Sequence, residues 1–163
     1  MASLRIPPPL QGLFWGFCMW GLAKMFSGLQ FSFYRQSYLS YLIIGIGLAI
    51  EITAVLAFFK ARTTVNPVHI EKASQLVTGG LYQFSRNPMY LGVSILLTGW
   101  AIWLGNPITL IGVAGFILVM NAIQIKPEEA ALSKIFGQDY INYTQTVRRW
   151  TVSYTHLTLP TKA

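Results

Sequence analysis

Four apolar blocks constrain this chain more than any other feature: residues 10–29, 38–59, 90–104 and 108–125 are almost free of charge. A bilayer core about 30 Å thick is crossed by about 20 apolar residues in a helix, and backbone polar groups at that depth must be satisfied within the segment. The blocks therefore predict an all-α, polytopic integral membrane protein with about four transmembrane helices. The third block is short for a crossing and requires extension of its helix into the flanks or a locally thinner bilayer. The composition agrees, with 53% hydrophobic and 10% charged residues against about 25% charged in an average soluble domain. A chain of 163 residues holds one domain, and a soluble helical protein is the weaker alternative.

The formal charge of +7 does not indicate nucleic acid, because the lysines and arginines sit at the ends of apolar blocks. That is the pattern of cations retained on the cytosolic side. Lys60, Arg62, Lys72 and Arg86 make the connector 60–87 the most basic loop, which assigns it and both termini to the cytosol. Cations beside a membrane also attract anionic headgroups, by about 1 kcal/mol each. The single cysteine, Cys18, and the two distant histidines, His69 and His156, predict neither a disulfide nor a metal site.

Inside the blocks, Gly12 and Gly16 form a small pair suited to seating a neighbouring helix. Lys24 is placed to snorkel. Glu51 is the one acid of the second block, so it must pair, face protein or carry function. Residues 30–37 read as an outer, aromatic loop, and Gly105-Asn106-Pro107 as the turn of a tight helical hairpin. Residues 126–150 are amphipathic at helical spacing, with Gly137 as an interruption, and Glu128 and Glu129 are suited to capping a helix that starts at Lys126.

The stretch 76–92, LVTGGLYQFSRNPMYLG, joins a Gly-Gly pair and two tyrosines to a proline that suits the first turn of a helix. An ordinary loop leading into a helix is one reading, and a backbone grip on a small molecule is the other. Thr151 onward, TVSYTHLTLPTKA, changes to a polar, β-prone character. With suitable codons it spells a sequencing adapter, so residues 151–163 are expected to be a non-native tail without function.

Leu76, Val77, Gly80 and Tyr82 with Arg86-Asn87-Pro88 and Tyr90, followed by Glu128, Glu129, Leu132, Phe136, Gly137, Tyr140 and Tyr143, resemble the isoprenylcysteine carboxyl methyltransferase and phospholipid methyltransferase family. The likeness runs from about Thr63 to Trp150, and the first two helices carry no such signature. The resemblance implies an integral membrane enzyme using S-adenosylmethionine, of a bacterial type and in the cytoplasmic membrane. It implies a cofactor site of Ser74, Gln75, Leu76, Val77, Tyr82, Asn87, Pro88, Met89, Tyr90, Glu128 and Glu129. Arg86, Asn87, Tyr90 and Glu128 become the catalytic candidates.

Two departures bear on chemistry. The family's Arg-His-Pro is Arg86-Asn87-Pro88 here, which removes a group that titrates near neutrality. The family's arginine for a substrate carboxylate falls on Gln124, the substrate-binding candidate, so a prenylcysteine carboxylate is a disfavoured acceptor. Physically, Glu128 suits a ribose, an ammonium or the sulfonium, and the faces of Tyr82 and Tyr90 suit a nearby cation. Alternatively, both tyrosines belong to an interfacial belt. The expected activity is methyl transfer to a lipid-like or amphiphilic acceptor at the cytosolic face. The competing expectation is a helical membrane scaffold that keeps the fold without the chemistry.

Overall fold

The computed structural model describes residues 7–61 and 74–150. His69 and Glu71, most of the basic connector and the suspected foreign tail lie outside the described residues. All the described elements are helical: α1 (Pro8–Met25), α2 (Gln36–Lys60), α3 (Pro88–Leu104), α4 (Leu110–Val119), α5 (Lys126–Phe136) and α6 (Gln138–Thr146). Proline opens both α1 and α3, where its missing N–H costs nothing. The third block thereby extends two residues into its flank, to 17 residues, and stays short for a crossing, while α1 ends at Met25 and yields to a short 3₁₀ turn at Ser27–Leu29.

The fold corrects the expected break at Lys126. A 3₁₀ turn at Pro107–Thr109, α4, a π-helical turn at Met120–Ile125 and α5 run on as one rod, Pro107–Phe136. Pro127 within a helix would clash with the carbonyl one turn earlier, and the wider π turn just before it accommodates the ring. Glu128 and Glu129 are therefore not at a free helix start, and capping does not account for them. At about 1.5 Å per residue, this 30-residue rod exceeds a bilayer core, and its far end is the amphipathic α5. Gly137, at φ +53°, separates α5 from α6, as the sequence suggested.

Among the described residues, two helices, Gln36–Lys60 and Pro107–Phe136, are long and apolar enough to cross a membrane, and Pro88–Leu104 is apolar but shorter. Large apolar side chains cover the outside: Leu13, Phe14 and Phe17 on α1, Leu42, Ile52 and Leu56 on α2, Ile111 and Leu118 on α4 are all exposed. Such a surface is stable only in an apolar surrounding, and the protein is membrane-associated.

α3 is the central post, with α1, α2 and α4 packed around it. The closest approach is to α2, whose buried residues Ser40, Gly47 and Ala54 recur every two turns; Ser40 faces Gly99 and Gly47 faces Gly92. A Cβ on Gly47 would lie 2.9 Å from the Gly92 carbonyl oxygen, and one on Gly99 would lie 3.0 Å from the Ile44 nitrogen. The Ser40 hydroxyl donates to the Gly99 carbonyl at 2.8 Å. Helices in lipid associate through such close packing, because lipid tails offset any hydrophobic gain. Gly12 and Gly16 likewise face α3, near Val93 and Leu97, and Trp100 Nε1 donates to the Gly16 carbonyl at 3.0 Å.

The hairpin turn ties one end of this assembly. Gly105 has φ +59°, and a Cβ there would meet the Phe31 carbonyl oxygen at 2.5 Å, so both its conformation and its space call for glycine. The Phe31 N–H donates to the Gly105 carbonyl at 2.8 Å, and Asn106 Nδ2 donates to the Phe26 carbonyl at 2.8 Å. The loop 30–37 is thus anchored, while Phe31, Phe33 and Tyr34 remain exposed.

Candidate functional site

At the opposite end, the segment that opens α3 meets the π turn, α5 and the last described residues. Tyr90, in the first turn of α3, is 5% exposed, and Gln124, in the π turn, is fully buried. The Tyr90 hydroxyl donates to Glu128 Oε1 at 2.8 Å, and Gln124 Nε2 donates to the same oxygen at 3.0 Å. Gln124 and Glu128 are one turn apart on the rod, so both reach α3 together. Gln124 Oε1 is buried with no hydrogen-bond partner among the described residues. A buried acceptor left open in this way costs about 1–3 kcal/mol unless a donor reaches it.

Tyr82 lies in a 3₁₀ turn, Gly80–Gln83, and is buried. Its ring stands edge-on to Phe58 of α2 at 5.4 Å, and Tyr143 of α6 donates to its carbonyl oxygen at 2.6 Å. Burial first, then Tyr143 and Glu128 nearby, push the Tyr82 phenol far above its ordinary range. It is a neutral donor at any physiological pH. Neither Tyr82 nor Tyr90 is a belt tyrosine at the membrane surface, because both are enclosed by protein.

Glu129 turns the other way. Arg149 grips it with two parallel bonds, Nε to Oε1 at 3.0 Å and Nη2 to Oε2 at 2.7 Å. Arg86 Nη1 lies 3.2 Å from the same carboxylate. The hydrogen bond to Glu129 is the main cause that raises the Arg149 pKa. The backbone completes this clamp: the Arg86 N–H donates to the Arg148 carbonyl at 3.0 Å, and Asn87 Nδ2 donates to the Arg149 carbonyl at 3.1 Å. Ser85 Oγ donates to that carbonyl at 3.2 Å and accepts from the Asn87 N–H at 3.1 Å. Trp150 Nε1 donates to Asn121 Oδ1 at 3.3 Å. Asn87, at the position of the family's histidine, thus has its amide committed to holding the C-terminal segment.

The structure brings together Tyr82, Tyr90, Gln124 and Glu128 on one side of α5, and Arg86, Asn87 and Glu129 on the other. Pro88 is buried between them at the head of α3, with Met89 half-buried beside it. Leu76 and Val77 are half-buried, whereas Ser74 and Gln75 are exposed. Sequence reasoning missed Ser85, Asn121, Arg149 and Trp150 as parts of this assembly. A basic pair followed by tryptophan at 148–150 was the available signal, but nothing local says that it folds back onto Arg86.

A cavity of about 610 Å³ opens between α1 and α2, over α3. Gly12, Leu13, Ile44, Val93 and Trp100 line it, together with Glu51. No ion pair reaches Glu51 among the described residues, so the expected pairing role finds no partner there.

The donor set fits a sulfonium nucleoside such as S-adenosylmethionine. A carboxylate and two aromatic rings complement a cation, and the open Gln124 acceptor matches an amine or a hydroxyl.

Comparison with known proteins places the chain in a family. The family model described as phospholipid methyltransferase matches residues 35–139. The match begins at the start of α2, so the second helix belongs to the family pattern although no motif in it was recognised. An uncharacterized protein of Haemophilus influenzae is 48% identical over 62 residues, which are 38% of this chain and 98% of that protein. Protein-S-isoprenylcysteine O-methyltransferase B of Arabidopsis thaliana is 32% identical over 75% of this chain and 61% of its own length. A probable protein-S-isoprenylcysteine O-methyltransferase of Oryza sativa subsp. indica is 31% identical over 77% of this chain and 65% of its own. The chain thus spans less than two thirds of these plant relatives. With the family model covering well over half of its residues, from α2 through the π turn and α5 that carry Gln124 and Glu128, the chain belongs to the phospholipid methyltransferase family.

Proposed function

We propose that this protein is an S-adenosylmethionine-dependent methyltransferase acting on a lipid-like or amphiphilic acceptor at the cytosolic membrane face. The observation that carries the reading is the bonding of buried Tyr90 and Gln124 to the half-buried Glu128, with one Gln124 acceptor left open, inside the family-matched region. Bound there, S-adenosylmethionine would supply an electrophilic methyl group. Glu128 balances the positive charge of the donor, and Tyr90 and Gln124 hold its carboxylate in one orientation. The rings of Tyr82 and Tyr90 exclude water, which favours transfer to the acceptor over solvent.

The apolar groove between α1 and α2 supports an acceptor with a hydrocarbon tail, since Val93 on its floor is one turn along α3 from Tyr90. Gln124 in place of an arginine disfavours an acceptor that presents a carboxylate. In this reading α1, α2, α3 and the rod beginning at Pro107 each cross once. The connector 60–87 and both termini are cytosolic, and the membrane is a bacterial cytoplasmic membrane.

The test is incubation of the purified protein with methyl-labelled donor and a total lipid extract, beside the Glu128→Gln variant. Label should enter an organic-soluble product with the native chain. The variant should bind S-adenosylhomocysteine at least tenfold more weakly, the equivalent of about 1.5 kcal/mol for a charge-assisted bond. Donor binding without transfer to any lipid fraction would favour the scaffold reading, and unaltered affinity in Glu128→Gln would remove Glu128 from the site.

A further inference from the structure

On the Glu129 side of α5, away from Glu128, the loop that opens α3 and residues 144–150 border an open recess of about 420 Å³. Arg86, Thr144, Arg148, Arg149 and Trp150 line it. Three guanidinium groups border this space, while the carboxylate that Arg86 and Arg149 share is the single one of Glu129. That pair leaves positive charge over. The side chain of Arg86 is 13% exposed, and its Nε is buried with no hydrogen-bond partner among the described residues. Arg148 is exposed at the rim, and its side chain takes no part in the Glu129 pairs.

We propose that this recess binds a phosphate group, carried either by an anionic phospholipid head or by free phosphate. Three arginines around one space suit a tetrahedral oxyanion, which offers acceptors in several directions at once. A lone carboxylate presents its acceptors in one plane and would leave part of that donor set unused. Trp150 packs against the core, with Nε1 donating to Asn121 Oδ1, and forms a wall of the recess, while the amphipathic α5 leads out of the apolar part of the rod toward the headgroups. The site is separate from the Tyr90–Glu128 group and requires no methyl donor.

The experiment is thermal unfolding of the full chain in phosphatidylcholine nanodiscs, without methyl donor. Inorganic phosphate is compared with chloride at equal ionic strength, and discs containing phosphatidic acid with discs lacking it. A rise in Tm of about 2–4 °C, corresponding to about 1 kcal/mol of linkage, is expected from at least one phosphate source. Arg148→Gln should abolish the rise. Lys134→Gln, which removes the same charge from the exposed face of α5, should retain it. A response to phosphate in plain discs identifies the free ion, and a response confined to phosphatidic acid discs identifies the headgroup. No rise from either source, an equal rise with chloride, or equal loss in both variants would overturn the proposal. Any of these failures leaves the methyl-transfer reading untouched.

Discussion

The α2–α3 seam and the clamp around Glu129 hold the same helix, α3, by opposite means. In the seam, Ser40 faces Gly99 and Gly47 faces Gly92, and what joins them is absence of side chain: backbones touch. In the clamp, one carboxylate is gripped by two long side chains from segments far apart in sequence, with three further hydrogen bonds between residues 85–87 and 148–149. The difference follows the solvent. Inside lipid, association depends on contact area and close approach. Where water competes for charge, a paired, half-buried carboxylate with bidentate geometry is what holds residues 148–149 in place.

The largest effect should come from the clamp. Glu129→Ala leaves two guanidinium groups beside a vacant partner, and removing one member of a buried pair costs about 3–5 kcal/mol. Glu129 is 18% exposed, so the lower end, about 3 kcal/mol, is expected in thermal or denaturant unfolding. Glu129→Gln is no neutral control for Glu128→Gln, because Glu129 has a mechanical task of its own, and a fully stable Glu129→Gln protein would sink the clamp.

A smaller loss is expected in the seam. Gly47→Val brings a branched side chain against the Gly92 carbonyl and the Leu96 nitrogen, and overpacking of this kind costs about 1–3 kcal/mol. The readout that sharpens the comparison is salt. High ionic strength should narrow the gap between native protein and Glu129→Ala while leaving the Gly47→Val gap unaltered, since salt screens exposed charge and not packing. Equal salt dependence in the two variants would erase the distinction.

The smallest change is Ser40→Ala, which removes the bond to the Gly99 carbonyl and keeps the close approach. Interhelical hydrogen bonds of this type average about 0.6 kcal/mol. A loss above about 2 kcal/mol would mean that the seam is held by hydrogen bonding, and that its glycines serve only to admit it.

The helical, membrane-associated character of the chain, the hairpin at Gly105-Asn106-Pro107 and the division at Gly137 were legible in the sequence. Each depends on a local cause: a run of apolar residues, a turn-forming triplet, a glycine free to take positive φ. The seven-residue spacing of Ser40, Gly47 and Ala54, matched by Gly92 and Gly99, was equally present and passed unread. Small residues announce a seam only when the opposite helix is known.

What the tertiary structure alone decided is how neighbours in sequence part company. Glu128 and Glu129 look like one acidic pair capping one helix. The π turn carries the rod through Pro127, so no helix begins there, and the roughly 100° between successive residues sends Glu128 to Tyr90 and Gln124 and Glu129 to Arg86 and Arg149. Likewise the Arg-Asn-Pro motif could be located by its letters, but the partner of its asparagine, the Arg149 carbonyl 62 residues away, could not. Sequence fixes periodicity because that is written in steps of three or four residues, whereas long-range pairing is chosen by which surfaces the whole chain brings face to face.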